Sequence, residues 1–115
     1  RYGGDEFVAI LPDTTLEEGM AVCEEIRKSI ESTTFLEREW GFSMPPLHLR
    51  GVLSASIGVA RHVPDPSSTA NPDLEKSDLL RKADAAMYHA KSLGKNQVVV
   101  WTDAIRNAQM TALSD

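Results

Sequence analysis

Apolar positions recur along the chain with two different periods. Leu16, Met20, Cys23, Ile26 and Ile30 return at three- and four-residue steps, with Glu17, Glu24, Glu25, Arg27, Lys28 and Glu31 between them. This spacing places apolar side chains on one helical face and charges on the other, and it predicts a helix from about Leu16 to Glu31. Thr14 and Thr15 each precede a glutamate by three residues, Glu17 and Glu18, the reciprocal arrangement that satisfies free amides at a helix start. Cys23 falls on the apolar face and reads as a core residue rather than a reactive thiol. A second helix is predicted from a cap at Ser77. Its apolar face is Leu79, Leu80, Ala83, Ala86, Met87 and Ala90, and Gly94 stands where a helix needs a left-handed C-terminal residue.

Strand signals fall elsewhere. Phe7 to Leu11 is a run of strand formers ending at Pro12, and two glycines, Gly3 and Gly4, stand just before it as a hairpin turn would require. Val52 to Ala60 alternates, with Leu53, Ala55, Ile57 and Val59 opposite Ser54 and Ser56, and Gln97 to Trp101 reads as a third strand. Phe35 to Arg50 has no clean period and is punctuated by Gly41, Pro45 and Pro46, so it reads as a long connection. His62 to Asn71 reads as an exposed loop, and Thr102 to Asp115 as a weakly amphipathic tail or linker. Strand, helix, strand, helix, strand without an internal repeat predicts a layered α/β (α+β) domain over residues 1–101, with helices packed on a sheet. Only Tyr2 precedes the turn with strand character, so the partner arm is expected upstream of Arg1 and the sequence reads as the C-terminal part of a larger domain.

Composition narrows the class. The 115 residues are 42% hydrophobic and 25% charged, as in one globular domain rather than a disordered tail. No apolar run approaches the ~20 residues of a membrane-spanning helix, and Arg1 opens a strand-like segment rather than a signal peptide, so a cytoplasmic domain is expected. The single Cys23 forms no internal disulfide, and His48, His62 and His89 are too scattered for a structural zinc site. A net charge of -5 argues against nucleic acid held on a general basic surface. The charge is nevertheless uneven: Lys76, Arg81, Lys82, Lys91 and Lys95 outnumber Glu75, Asp78 and Asp84 between Leu74 and Trp101. A local cationic site in an acidic chain suits a small anionic ligand.

Two spots carry candidate chemistry. At Gly3-Gly4-Asp5-Glu6, a turn without side chains admits a ligand close to the backbone, and two carboxylates follow at the mouth of a strand. Magnesium is usually bound by one or two carboxylates together with substrate phosphates, so Asp5 and Glu6 are candidate ligands. Strand alternation would point them to opposite faces unless the turn twists them together, which makes one principal and the other secondary. The competing reading is an ordinary hairpin turn. At the other spot, Lys91 and Lys95 flank the end of the second helix. They either complement its dipole, worth at most about 1 kcal/mol each, or face a triphosphate held by metal at the hairpin.

Arg1-Tyr2-Gly3-Gly4-Asp5-Glu6-Phe7 with Leu11-Pro12-Asp13-Thr14 closely resembles the signature hairpin of the GGDEF family, the bacterial diguanylate cyclases. Ser54-Ala55-Ser56-Ile57-Gly58-Val59-Ala60 is similar to that family's Ser-Ile-Gly-Val strand. Leu80 to Lys91, with Gly94-Lys95-Asn96, is similar to its final helix and the loop after it. The resemblance implies a palm-like, nucleotide-cyclase or ferredoxin-like sheet whose N-terminal half is missing here. It also implies an enzyme that condenses two GTP into cyclic di-GMP with release of pyrophosphate, as a homodimer across the active site, using Mg2+ or Mn2+. Carried over by position, Gly3 and Gly4 lie against the nucleotide, Asp5 is the metal ligand and proposed base, Glu6 supports metal binding, and Lys91 and Lys95 contact phosphates. A sensor or receiver domain elsewhere in the parent chain, which is compatible with membrane anchoring, is implied as well. Lys95 departs from the pattern, since many relatives have arginine there, and the connection from Phe35 to Arg50 is longer than usual. The resemblance places a metal-binding aspartate, guanine contacts and an Arg-x-x-Asp inhibitory motif upstream of Arg1. The 115 residues alone are therefore expected to be inactive. The alternative reading is a GGDEF domain that binds GTP or cyclic di-GMP as a regulatory module without turnover; the intact Asp5-Glu6 pair favours the enzyme.

Overall fold

A computed structural model describes residues 1–33, 53–64 and 71–105. The expected connection from Phe35 to Arg50, the middle of the loop before Asn71 and the chain beyond Ile105 lie outside them. The elements in chain order are α1 (Leu16–Ser32), β1 (Ile57–Val59), α2 (Pro72–Ser92) and β2 (Val98–Val100). The two strands pair in parallel, with Ile57, Gly58 and Val59 opposite Val98, Val99 and Val100. Parallel neighbours need a crossover between them, and α2 supplies it, so β1-α2-β2 forms one unit on which α1 also packs. The fold is mixed α+β, with helices against a small sheet. Among the described residues no helix is long and apolar enough to cross a membrane.

The helix α1 begins as expected: Thr15 is its cap, and the Thr15 Oγ1 accepts from the Glu18 amide at 3.1 Å. It runs one residue past the expected end, to Ser32. Leu16, Cys23 and Ile30 on its apolar face are half-buried while Met20 and Ile26 stay exposed. Partial burial pushes the Cys23 thiol up from its ordinary pKa, consistent with a packing role.

The start of α2 corrects the expectation of a cap at Ser77. The cap is Asn71, whose Oδ1 accepts from the Asp73 amide at 2.9 Å, and Pro72 opens the helix with Asp73 and Glu75 in its first turn. Proline at the first helical position lacks only an amide that would be unpaired anyway, and acidic side chains there complement the dipole. Ser77 therefore lies inside the helix.

The strands are shorter than their sequence signals. Among the described residues of the expected Val52–Ala60 strand, only Ile57–Val59 joins the ladder, and Gln97 and Trp101 border β2 rather than extend it. Their backbones still bond across: the Ile57 amide donates to the Gln97 carbonyl at 3.0 Å and the Trp101 amide to the Val59 carbonyl at 2.8 Å. Phe7–Leu11 is not a strand at all among the described residues, because strand propensity becomes a ladder only where a neighbour offers amides and carbonyls. Phe7 is 76% exposed and Ile10 84%.

The core is built from small residues. Ala85, Ala86 and Ala90 of α2 are buried, the last two completely, with Ile105, Val99 and Trp101 packed against Ala85 and Ala86. Gly58 explains why. A methyl group on its Cα would stand 2.1 Å from the Ala83 carbonyl oxygen and 2.3 Å from the Met87 nitrogen, on the helical hydrogen bond itself. Strand and helix backbones touch here, and only glycine permits it.

Candidate active site

The Gly3–Glu6 segment folds into a tight turn held by its own backbone. The Tyr2 and Gly3 amides donate to the Glu6 carbonyl at 2.9 and 3.4 Å, and the Glu6 amide returns a bond to the Gly3 carbonyl at 2.7 Å. Arg1 Nε closes the rim by donating to the Gly4 carbonyl at 2.9 Å. Gly4 has φ +51°, a conformation that glycine adopts without steric cost. A side chain on Gly3 or Gly4 would meet nothing within 4 Å, so the backbone is open to a ligand. Asp5 is exposed at the turn and Glu6, at its end, is half-buried. Their hard oxygens fit the mode in which one or two carboxylates and substrate phosphates share a magnesium ion. Among the described residues no third Asp, Glu, His or Cys joins them in a group.

The second candidate spot is also a turn. The helix α2 ends in a Schellman arrangement: the Lys95 amide donates to the Ala90 carbonyl at 3.0 Å and the Gly94 amide to the Lys91 carbonyl at 3.4 Å. Gly94 has φ +117°, as expected of the glycine there. Lys95 and Asn96 follow with φ +64° and +49°, so three consecutive residues sit at positive φ. For lysine that conformation is costly and persists only where its surroundings enforce it. Gln97 Nε2 donates to the Lys95 carbonyl at 3.1 Å, and Asn96 Oδ1 accepts from Arg27 Nη1 at 3.0 Å. The side chains of Lys91 and Lys95 are exposed. Among the described residues no hydrogen bond or ion pair joins the Gly3–Glu6 turn to either lysine.

Arg27 is the residue that helical spacing misplaced. It was expected on the charged outer face of α1, but its side chain is only 14% exposed and reaches Asn96 across 69 positions. Glu24 and Glu31 hold it from within the helix, through Nε at 2.9 Å and Nη1 at 2.8 Å respectively, and Nη2 also bonds Glu24. The Glu24–Arg27–Glu31 spacing is legible as ion pairing in sequence, whereas its target is not. The hydrogen bond from Arg27 holds the Glu24 carboxyl below its ordinary pKa. A similar cluster marks α2, where Lys82 and Arg81 lower Asp78 from distances of 2.8 and 2.7 Å.

Comparison with known proteins agrees with the motifs. The family model described as "Diguanylate cyclase, GGDEF domain" matches residues 1–97. The Response regulator PleD of Caulobacter vibrioides is 34% identical over 99 residues, covering 86% of this chain and 19% of that protein. Diguanylate cyclase VdcA of Vibrio cholerae is 36% identical over 99 residues, covering 86% and 25%. Diguanylate cyclase DosC of Escherichia coli is 36% identical over 101 residues, covering 88% and 18%. The chain thus spans a quarter or less of these relatives' length. No solved structure matches it significantly. A family model that matches residues 1–97, a span that includes both turns, means that the chain belongs to the GGDEF diguanylate cyclase family.

Proposed function

We propose that the natural protein carrying this chain condenses two GTP molecules into cyclic di-GMP and releases two pyrophosphates. The carrying observation is the Gly3-Gly4-Asp5-Glu6 turn: both glycines face open space, and two carboxylates stand beside them. The diguanylate cyclases among its relatives support the same reading. Gly3 and Gly4 let a nucleotide lie against the backbone, and Lys91 and Lys95 present ammonium groups to its phosphates. Asp5 and Glu6 would hold Mg2+ or Mn2+, which when bound neutralises phosphate charge and makes a coordinated hydroxyl more acidic. The 3'-hydroxyl oxygen of one GTP attacks the α-phosphorus of the other. A P–O3' bond forms, the bond to the oxygen bridging the β-phosphate breaks, and the Asp5 carboxylate takes the proton. Two such transfers close the ring, which calls for two subunits face to face with one GTP each. A regulatory domain of the sensor or receiver kind fits the share of the relatives' length that this chain does not span. The 115 residues by themselves are expected to lack turnover.

The test is product formation from GTP and magnesium by the natural protein bearing Asp5→Ala, with a thermal melt in parallel. Turnover should fall by at least about 100-fold, the scale of losing one electrostatic contact to a transition state, while the melt stays in place. Wild-type turnover would overturn the assignment of Asp5.

A further inference from the structure

We propose that Arg27 is a positioning residue for the phosphate-binding end of the site: through Asn96 it holds the left-handed turn that carries Lys95. The inference rests on the reading of Lys95 as a phosphate contact.

The argument starts from what fixes each residue of that turn. Gly94 needs no enforcement, because glycine visits positive φ freely. Lys95 is tied at its amide to Ala90 and at its carbonyl to Gln97. Asn96 tolerates φ +49°, but its backbone has to pass from there toward β2, and the next carbonyl, that of Gln97 just before the strand, already receives the Ile57 amide. The bond that fixes the Asn96 side chain comes from Arg27, at 3.0 Å. Arg27 is itself immobilised. Four of the five N–H groups of a guanidinium are accounted for here, by Glu24 twice, Glu31 and Asn96. A guanidinium so committed has little left to offer an anion, so it acts on the ligand only through the turn. Its planar fork also offers five N–H donors in fixed directions, where an ammonium offers only three on a single nitrogen. The outcome is a lysine held in an unfavourable backbone conformation by a residue in another helix.

The experiment compares Arg27→Met, Asn96→Gly and Lys95→Ala in the natural protein, alone and with Lys95→Ala added to each of the first two. Affinity for a non-hydrolysable GTP analogue with magnesium is read by calorimetry, alongside KM, kcat and a thermal melt. Asn96→Gly is the decisive variant, since glycine keeps positive φ at no steric cost while removing the acceptor. A merely structural role leaves its affinity unchanged. Positioning weakens it by about tenfold, the scale on which hydrogen bonds behind a ligand-binding group act, and raises KM more than it lowers kcat. Arg27→Met should match it, and neither change should weaken binding further once Lys95 is alanine. Lys95→Ala with wild-type affinity would remove the phosphate reading itself. Weakened binding by Lys95→Ala but not by Asn96→Gly would overturn the role of Arg27 alone, as would additive effects in the double variants.

Discussion

The two turns that carry the candidate residues are of similar size but are held differently. The Gly3–Glu6 turn closes on itself: its hydrogen bonds join residues at most four positions apart, and the apolar residues after it, Phe7 and Ile10, remain exposed. The Gly94–Asn96 turn ends a packed helix, and one of its side chains is bonded by an arginine 69 positions away. The carboxylates are thus presented by local bonds alone, whereas the turn that carries Lys95 adds a tertiary bond to its local ones. Local turns survive changes elsewhere in a fold, whereas the second turn is only as well placed as the helices and sheet beneath it.

The most severe way to break that difference is Gly58→Ala. Its methyl would collide with α2 backbone rather than with a side chain able to move, so we expect a loss of about 3 kcal/mol or more in a denaturant melt. Nucleotide affinity of the folded fraction should fall with it, since Lys91 lies on α2 and Lys95 in the turn that ends it. A near-neutral result would mean that strand and helix are not in contact. Alanine at the two turn glycines sharpens the comparison, because neither position has a neighbour within 4 Å and only the backbone is tested. Gly94→Ala, at φ +117°, should cost about 2 kcal/mol, and Gly4→Ala, at φ +51°, about 1 kcal/mol. Equal costs, or the reverse order, would contradict the conformations described. Lys91→Ala should lower stability by no more than about 1 kcal/mol through the helix dipole yet weaken GTP binding; unchanged affinity would leave the dipole as its whole role.

The smallest effect is on pH dependence. Arg27 depresses the folded-state pKa of Glu24, and Lys82 and Arg81 depress that of Asp78. Both groups contribute stability above their ordinary pKa values of 4.5 and 3.8, and they lose it as pH falls through the lower folded values. Carboxyl NMR titration should place the Glu24 midpoint below 4.5, and Arg27→Met should raise it. An unmoved midpoint would detach Glu24 from Arg27.

Much of this was legible in the sequence where the cause is local. Thr15 with Glu18, the apolar steps of α1, Gly94 after α2 and the paired glycines before Asp5 each act within a few residues, and each is found where expected. The start of α2 was equally local but misread: Asn71-Pro72-Asp73 resembles a loop by composition, yet a capping Asn followed by Pro is a strong helix opening. Phe7–Leu11 has the composition of a strand but no ladder among the described residues, because pairing depends on a partner and not on propensity. Arg27 and the conformation of Lys95 were out of reach for the same reason. Helical spacing says which way a side chain leaves its helix and nothing about what it meets, and lysine gives no sign in sequence of positive φ.

Backbone contact at Gly58 makes α2 behave as a gauge rather than a cushion. Where two elements meet through long side chains, rotamers absorb a shift of a fraction of an ångström, and the far end of a helix wanders accordingly. Here the strand rests on the hydrogen bond between Ala83 and Met87, with no compliant layer between. Lys91 lies four residues beyond Met87, about 6 Å along the axis, so little lever arm separates it from that fixed point. Its height above the sheet is therefore indexed to the main chain and not to the packing of side chains. Substitutions that resize apolar residues elsewhere on α2 can alter stability while leaving that height unchanged.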